Sequence, residues 1–138
     1  MRDRRREPKQ LWMTAERPAA PVLIVEDNAE VRQALVALLE AEGYRVAEAG
    51  DGVSALRLLR QGDVHPCLIV LDLMMPRMSG WDFRAAQSSD RELASIPVVV
   101  LSADPLASQA SRLGAVAVLP KPADPERFLE LIGRLCTR

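Results

Sequence analysis

Three carboxylates in this chain could hold a metal ion, because each follows a short apolar run that resembles a buried strand. Glu26 and Asp27 follow the first such run, and Asp72 follows another one further along the chain. Carboxylates brought close together repel one another, and a divalent cation with oxygen ligands relieves that repulsion. A site with few protein ligands and open water positions suits Mg²⁺ better than Ca²⁺. The pattern therefore predicts a Mg²⁺ site at Glu26, Asp27 and Asp72.

A carboxylate beside such an ion can also attack phosphorus and form an aspartyl phosphate, which makes Asp72 a candidate nucleophile. The phosphoryl oxygens then need further partners, and the Ser102 hydroxyl and the Lys121 ammonium group could supply them. Lys121 is the only lysine in residues 21–138, where every other cation is arginine. Taken singly, these residues have plainer explanations as helix caps, turn residues or surface groups. Their arrival in order, each at the end of its own apolar run, favours one shared site.

The elements that position these residues are predicted from the changing hydrophobic period. Apolar runs rich in β-branched residues lie at 22–25, 67–71, 97–101 and 115–119, with a weaker one at 44–48. Continuous runs of this length are typical of strands buried on both faces, as in a parallel sheet.

Between and after these runs the period becomes helical, which predicts five helices beginning near Val31, Val53, Trp81, Pro105 and Pro125. Five alternating strands and helices with right-handed crossovers predict an α/β fold, a (βα)5 doubly wound five-stranded parallel sheet. In such a fold the chemistry lies at the carboxyl ends of the strands.

Composition limits the class of protein. About half of the residues are apolar (49%) and the net charge is −1, which argues against a disordered chain and against general nucleic-acid binding. No apolar run approaches the ~20 residues of a membrane span. Residues 1–20 carry six Lys/Arg against three acids, so we predict a flexible basic N-terminal arm before a domain of residues 21–138. We interpret the arm as a solvated tail or an overlong translation start rather than a contact for nucleic acid or an acidic partner.

The cysteines and the single histidine carry no recognisable motif. Cys67 and Cys136 lack metal-ligand spacing, and we predict two small buried side chains without a disulfide, in a reducing cytoplasm. We interpret His65, which precedes Pro66, as a loop residue rather than a phosphohistidine.

The segment Leu71–Gly80, with Pro76 four residues and Gly80 eight residues after Asp72, resembles the phosphoacceptor loop of response regulator receiver domains. The resemblance covers about residues 20–136 and includes the pairs Glu26-Asp27, Ser102-Ala103 and Lys121-Pro122.

The resemblance implies a flavodoxin-like fold and a role for each residue of the site. Asp72 would be the phosphoacceptor, and Mg²⁺ would bind Asp27, Asp72 and the backbone carbonyl of Met74, with Glu26 acting through water. Ser102 and Lys121 would contact the phosphoryl group, and the Lys121–Pro122 peptide would be cis. The donor would be a sensor histidine kinase or a histidine phosphotransfer protein. One position departs from the family, because Val118 stands where an aromatic switch residue or histidine is usual.

The resemblance implies a switch rather than an enzyme, with catalysis limited to Mg²⁺-dependent self-phosphorylation and dephosphorylation at Asp72. An aspartyl-nucleophile phosphatase is the alternative, but it would need a second Asp two residues on, where Met74 stands. A flavin-binding domain would need a phosphate loop where Glu26-Asp27-Asn28 stands. Because the sequence ends at Arg138, soon after the last predicted helix, we expect output by contact with an unknown protein or onward phosphoryl transfer, in the cytoplasm.

Overall fold

The computed structural model describes residues 19–62, 64–103, 109 and 114–138. In that part of the chain a five-stranded parallel sheet has the order β2-β1-β3-β4-β5. The strands are β1 (Val22–Val25), β2 (Val46–Ala49), β3 (Leu68–Leu71), β4 (Val98–Ser102) and β5 (Ala117–Pro120). The predicted doubly wound α/β fold is confirmed, and Ser102 is the last residue of its strand rather than the first after it.

Four helices lie in the described part of the chain: α1 (Ala29–Ala41), α2 (Gly52–Arg60), α3 (Gly80–Ser89) and α4 (Pro125–Leu135). The helix predicted to begin at Pro105 lies almost wholly outside the described residues. Of the predicted N-terminal arm only Ala19 and Ala20 are described, so the division of the chain at residue 20 stays a prediction.

The core has two layers, one on each face of the sheet. Leu23 and Val25 pack on the face that is covered by α2 and α3, whereas Val22 and Ile24 pack on the face covered by α1 and α4. The central strands β1, β3 and β4 are buried along their whole length. This double burial explains why their sequences are continuous apolar runs rather than alternating ones.

Each helix begins at a polar residue just beyond the carboxyl edge of the sheet. Asn28, Asp51, Ser79 and Asp124 cap the four helices, each accepting a hydrogen bond from a backbone N–H of the first turn. The cap predicted at Asp124 is confirmed, with Pro125 following it. These caps fix the loops that carry the candidate site.

The opposite, amino edge of the sheet carries a disulfide between Cys67 and Cys136, with a Cα–Cα distance of 5.7 Å. Our prediction of two cysteines without a disulfide is therefore wrong. The cysteines lie 69 residues apart, and only folding brings the start of β3 against the end of α4. His65 is exposed in the loop before β3, as predicted. Among the described helices, none combines the length and the apolar character that a bilayer crossing requires.

Candidate functional site

The carboxyl edge of the sheet brings three charged side chains into contact. The Lys121 ammonium group lies between two carboxylates, forming an ion pair with Glu26 and another with Asp72 at 3.2 Å between Nζ and Oδ2. Glu26 and Asp72 are almost fully buried, and the Lys121 side chain is 20% exposed. The sequence predicted this meeting because the residues follow β1, β3 and β5.

Asp27 completes the acidic cluster from the solvent side. One carboxylate oxygen from each of Glu26, Asp27 and Asp72 lies within 4.8 Å of the others. Asp27 is exposed, whereas the other two are buried. A cation at this point would thus have protein oxygens on one side and water on the other. That arrangement fits Mg²⁺, which binds few carboxylates and keeps several water ligands.

The local electrostatics show how strongly these charges depend on one another. Burial raises the pKa of Glu26 above its usual value, although hydrogen bonds from Lys121 and Asn28 oppose the shift, and the nearby Asp72 adds to it. For Lys121, burial alone would lower the pKa, but the hydrogen bond to Glu26 and the charge of Asp72 outweigh it, so the pKa is raised. The lysine therefore stays charged and partly neutralises the two buried carboxylates.

Hydrogen bonds from backbone N–H groups hold the loop from Asp72 to Ser79 in place. The N–H of Met74 donates to Asp72 Oδ1 at 3.1 Å, and the N–H of Gly80 donates to the Leu73 carbonyl at 2.9 Å. A Cβ atom at Gly80 would collide with the backbone of Asp72 and lie 2.6 Å from the Leu73 Cα. Gly80 is therefore required by the close approach of α3 to the residue that carries the candidate nucleophile.

A second contact to this loop, between Arg77 and Asp51, has no signal in the sequence. Arg77 has a positive φ of 67° and its Nη2 donates to Asp51 Oδ2 at 2.8 Å. Asp51 also accepts a hydrogen bond from the Ser54 N–H, and this bond, together with the Arg77 contact, lowers its pKa to about 2. Next to this pair, Met78 packs so closely on Gly52 that a Cβ there would lie 2.9 Å from the Met78 sulfur. Nothing in the sequence spacing signals these contacts, because they join loops 26 residues apart.

The remaining predicted residues lie on β4 and β5. Ser102 is buried at the end of β4, and its carbonyl accepts a hydrogen bond from the Lys121 N–H at 3.3 Å. The cis peptide implied between Lys121 and Pro122 is present. Val118 is partly buried opposite Val100 and packs against the apolar layer beneath α2 and α3. It has no aromatic ring to turn between buried and exposed positions.

Met74, two residues after Asp72, is 59% exposed. Its thioether cannot donate or accept the proton that a phosphatase of the alternative class transfers at this position. Met74 therefore gives no support to the phosphatase alternative.

A family model described as a response regulator receiver domain matches residues 22–133. The chain belongs to this family. Receiver domains of this type act in two-component signalling. The fold is thus that of a receiver domain, as the sequence resemblance implied.

Individual relatives agree with this assignment. The polar-differentiation response regulator DivK of Brucella ovis is 35% identical over 114 residues, which cover 80% of this chain and 91% of that protein. The solved structure of a response regulator receiver protein from Pseudomonas putida has a TM-score of 0.77 and 32% identity, covering 84% of this chain and 98% of that one. The chemotaxis protein CheY4 of Vibrio cholerae gives a TM-score of 0.74 at 31% identity, with the same coverage.

Proposed function

We propose that this receiver domain accepts a phosphoryl group on Asp72 from a histidine kinase or a histidine phosphotransfer protein, and that the modification changes its contacts with another protein. The observation that carries the proposal is the position of Asp72, which is buried, paired with Lys121 and grouped with Glu26 and Asp27. Membership of the receiver family supports the same reaction class.

Glu26, Asp27 and Asp72 would hold the Mg²⁺ ion, with the Met74 carbonyl as a further ligand. The donor set fits, because it consists of hard carboxylate oxygens open to water on the Asp27 side. When bound, Mg²⁺ supplies positive charge that offsets the negative charge of the carboxylates and the incoming phosphoryl group.

In the proposed reaction a carboxylate oxygen of Asp72 attacks the phosphorus atom while the bond from phosphorus to the donor's histidine nitrogen breaks. Lys121, now paired with Asp72, would transfer its hydrogen bond to a phosphoryl oxygen. From the end of β4, the Ser102 hydroxyl would donate a hydrogen bond to another phosphoryl oxygen. The nearby ammonium group thus stabilises the charge that arrives with the phosphoryl group.

We place the domain in the cytoplasm, where histidine kinases present their phosphoryl group. Output would then occur through a protein partner or by onward transfer of the phosphoryl group. Since Val118 cannot swing as an aromatic residue would, we propose that the signal leaves through a backbone shift after Ser102.

The test is phosphorylation of the full chain by a small-molecule phosphoryl donor in Mg²⁺, followed by intact mass. Wild type should gain one phosphoryl group, and Asp72→Asn should gain none. Asp82→Asn changes an exposed carboxylate on α3 and is the matched control, which should label like wild type. Equal labelling of wild type and Asp72→Asn would overturn the assignment of Asp72.

A further inference from the structure

The disulfide lies at the end of the sheet that the phosphoryl chemistry does not use. Cys67 directly precedes β3, and Asp72 directly follows the same strand. Five residues of extended chain separate them by roughly 17 Å. Cys136 follows the last residue of α4, and its N–H donates to the Ile132 carbonyl at 2.9 Å. The bond thus ties the C-terminal turn of α4 to the start of a central strand.

The surroundings of the bond suit a pair of thiols as well as a disulfide. The Cys67 sulfur lies 3.5 Å from the carbonyl oxygens of both Ala20 and Pro21, which could accept the S–H of a reduced cysteine. Cys136 is buried in the apolar layer beneath α1 and α4, where a thiol packs as a small apolar group. Neither sulfur therefore loses a required partner when the bond opens.

The attachment of α4 does not depend on the bond alone. Phe128 and Ile132 are fully buried against the sheet. Beyond the helix, the Arg138 guanidinium lies 5.6 Å from the centre of the Tyr44 ring and donates to the Glu42 carbonyl at 3.3 Å. The reduced domain is therefore expected to stay folded with α4 in place, and only the mobility of its last turn should increase.

The two cysteine residues differ in exposure, which gives the exchange a direction. Cys67 is partly exposed, whereas Cys136 is 7% exposed. An external sulfur can approach Cys67 first, and Cys136 can then act as the resolving cysteine from inside. Disulfides in reducing compartments are usually transient or redox-sensing rather than purely structural.

We propose that Cys67 and Cys136 form a reversible oxidation site, which is closed and opened by thiol–disulfide exchange with a small disulfide such as oxidised glutathione. The Cys67 thiolate attacks one glutathione sulfur, and the first glutathione leaves as a thiolate. The Cys136 thiolate then attacks the Cys67 sulfur and releases the second glutathione. The two protein thiols lose two electrons and two protons, and glutathione disulfide gains them as two glutathione thiols.

Closing the bond should stabilise the whole domain, because it joins residues 69 positions apart in the unfolded chain. The chain-entropy treatment gives roughly a thousandfold change in the unfolding equilibrium constant for a loop of this length. We expect a melting temperature about 15 °C higher for the oxidised form. Phosphorylation should be similar in the two forms, because the bond and Asp72 lie at opposite edges of the sheet.

The experiment incubates the reduced full chain in glutathione buffers of increasing oxidised fraction, then alkylates the free thiols and measures intact mass and melting temperature. Under oxidising buffer we expect two protected thiols without a glutathione adduct, the higher melting temperature, and full reversal by reduced glutathione or dithiothreitol. Amide exchange at residues 135–138 should be faster in the reduced form.

Serine variants show which sulfur reacts first and provide the control for stability. Cys136→Ser should accumulate a glutathione adduct on Cys67, and Cys67→Ser should accumulate far less on Cys136. The double variant should melt like the reduced wild type in both buffers. Two alkylated thiols in excess oxidised glutathione, a disulfide between two chains, or a bond that resists reduction in the native state would each overturn the proposal.

Discussion

The two edges of the sheet are stabilised in different ways. At the carboxyl edge Lys121 lies between two buried carboxylates, and burial raises the pKa of Glu26. At the amino edge a covalent bond joins Cys67 to Cys136. The first edge is held by charges that can change partners, and the second by a bond that keeps its partners until it is reduced. The comparison indicates that the carboxyl edge keeps charged groups buried at an electrostatic cost, whereas apolar packing and the disulfide stabilise the amino edge.

The largest expected effect comes from crowding the backbone of the carboxyl edge. Gly80→Ala should lower the free energy of unfolding by roughly 3 kcal/mol or more, because the new methyl group meets the backbone of Asp72 and Leu73. Phosphorylation of the folded fraction should fall as well, since the loop must shift. Thermal and urea unfolding measure the first effect, and labelling with a small-molecule donor measures the second.

Gly133→Ala provides the matched change near the amino edge. A Cβ at Gly133 would lie 3.4 Å from the Tyr44 hydroxyl, an ordinary contact, and alanine favours a helix interior by up to about 1 kcal/mol over glycine. This variant should be neutral or slightly more stable. Similar losses of stability in Gly80→Ala and Gly133→Ala would contradict the difference between the two edges.

Removing the Lys121 ammonium group from the carboxyl edge should have the next largest effect. Lys121→Met leaves Glu26 and Asp72 buried without their partner and should cost about 2–3 kcal/mol at neutral pH. Because the pKa of Glu26 is raised in the folded protein, this penalty is present above that pKa and is relieved as the pH falls through it. Urea unfolding at several pH values measures both the loss and its recovery.

The control is Arg134→Met, which breaks an exposed ion pair with Glu130 on α4. Exposed helix pairs contribute only about 0.3–0.5 kcal/mol, so this change should be small at every pH. If the two variants lost equal stability, the carboxyl-edge ion pairs would have no special role.

A smaller effect is expected from Mg²⁺ itself. If the affinity is on the order of 10⁻³ M, about 10 mM Mg²⁺ should stabilise the domain by roughly 1–1.5 kcal/mol. Asp27→Asn should lose most of this stabilisation, whereas Asp82→Asn should keep it. A melting-temperature series in increasing Mg²⁺ gives the result, and an unchanged response in Asp27→Asn would argue against the cluster as the binding site.

The smallest effect concerns the Asp51–Arg77 ion pair beside the loop. Asp51→Asn keeps a good helix cap but loses the charge that Arg77 contacts, and should cost at most about 1 kcal/mol at pH 7. The pKa of Asp51 is about 2 in the folded protein against an ordinary 3.8. The stabilisation is therefore present above about pH 4 and is lost as the pH falls through about 2.

The measurement is the stability difference between wild type and Asp51→Asn at pH 7 and near pH 2. Asp124→Asn, which also changes the charge of a helix cap, should give a smaller difference at pH 7. A cost for Asp51→Asn that does not change with pH would show that the charge of Asp51 is unimportant.

The sequence by itself determined the order of the five strands and of the four helices that the structure describes, and it grouped the carboxyl-edge residues. Hydrophobic period and caps such as Asp124 are local signals, and a parallel sheet brings the residues after its strands to one edge. For that reason the sequence groups Glu26, Asp72 and Lys121 at one site. The same signals do not define where a strand ends to within a residue, and Ser102 lies inside β4 rather than after it.

Only the tertiary structure decided the contacts between distant loops that no periodicity records. The Cys67–Cys136 bond and the Asp51–Arg77 pair join segments 69 and 26 residues apart. Each depends on the packing angle of a helix and on the path of a loop, which a single sequence leaves open. The residues next to a cysteine or an arginine in the sequence do not indicate whether it has a partner in the folded protein. The folded backbone decides which distant residue comes into contact with it.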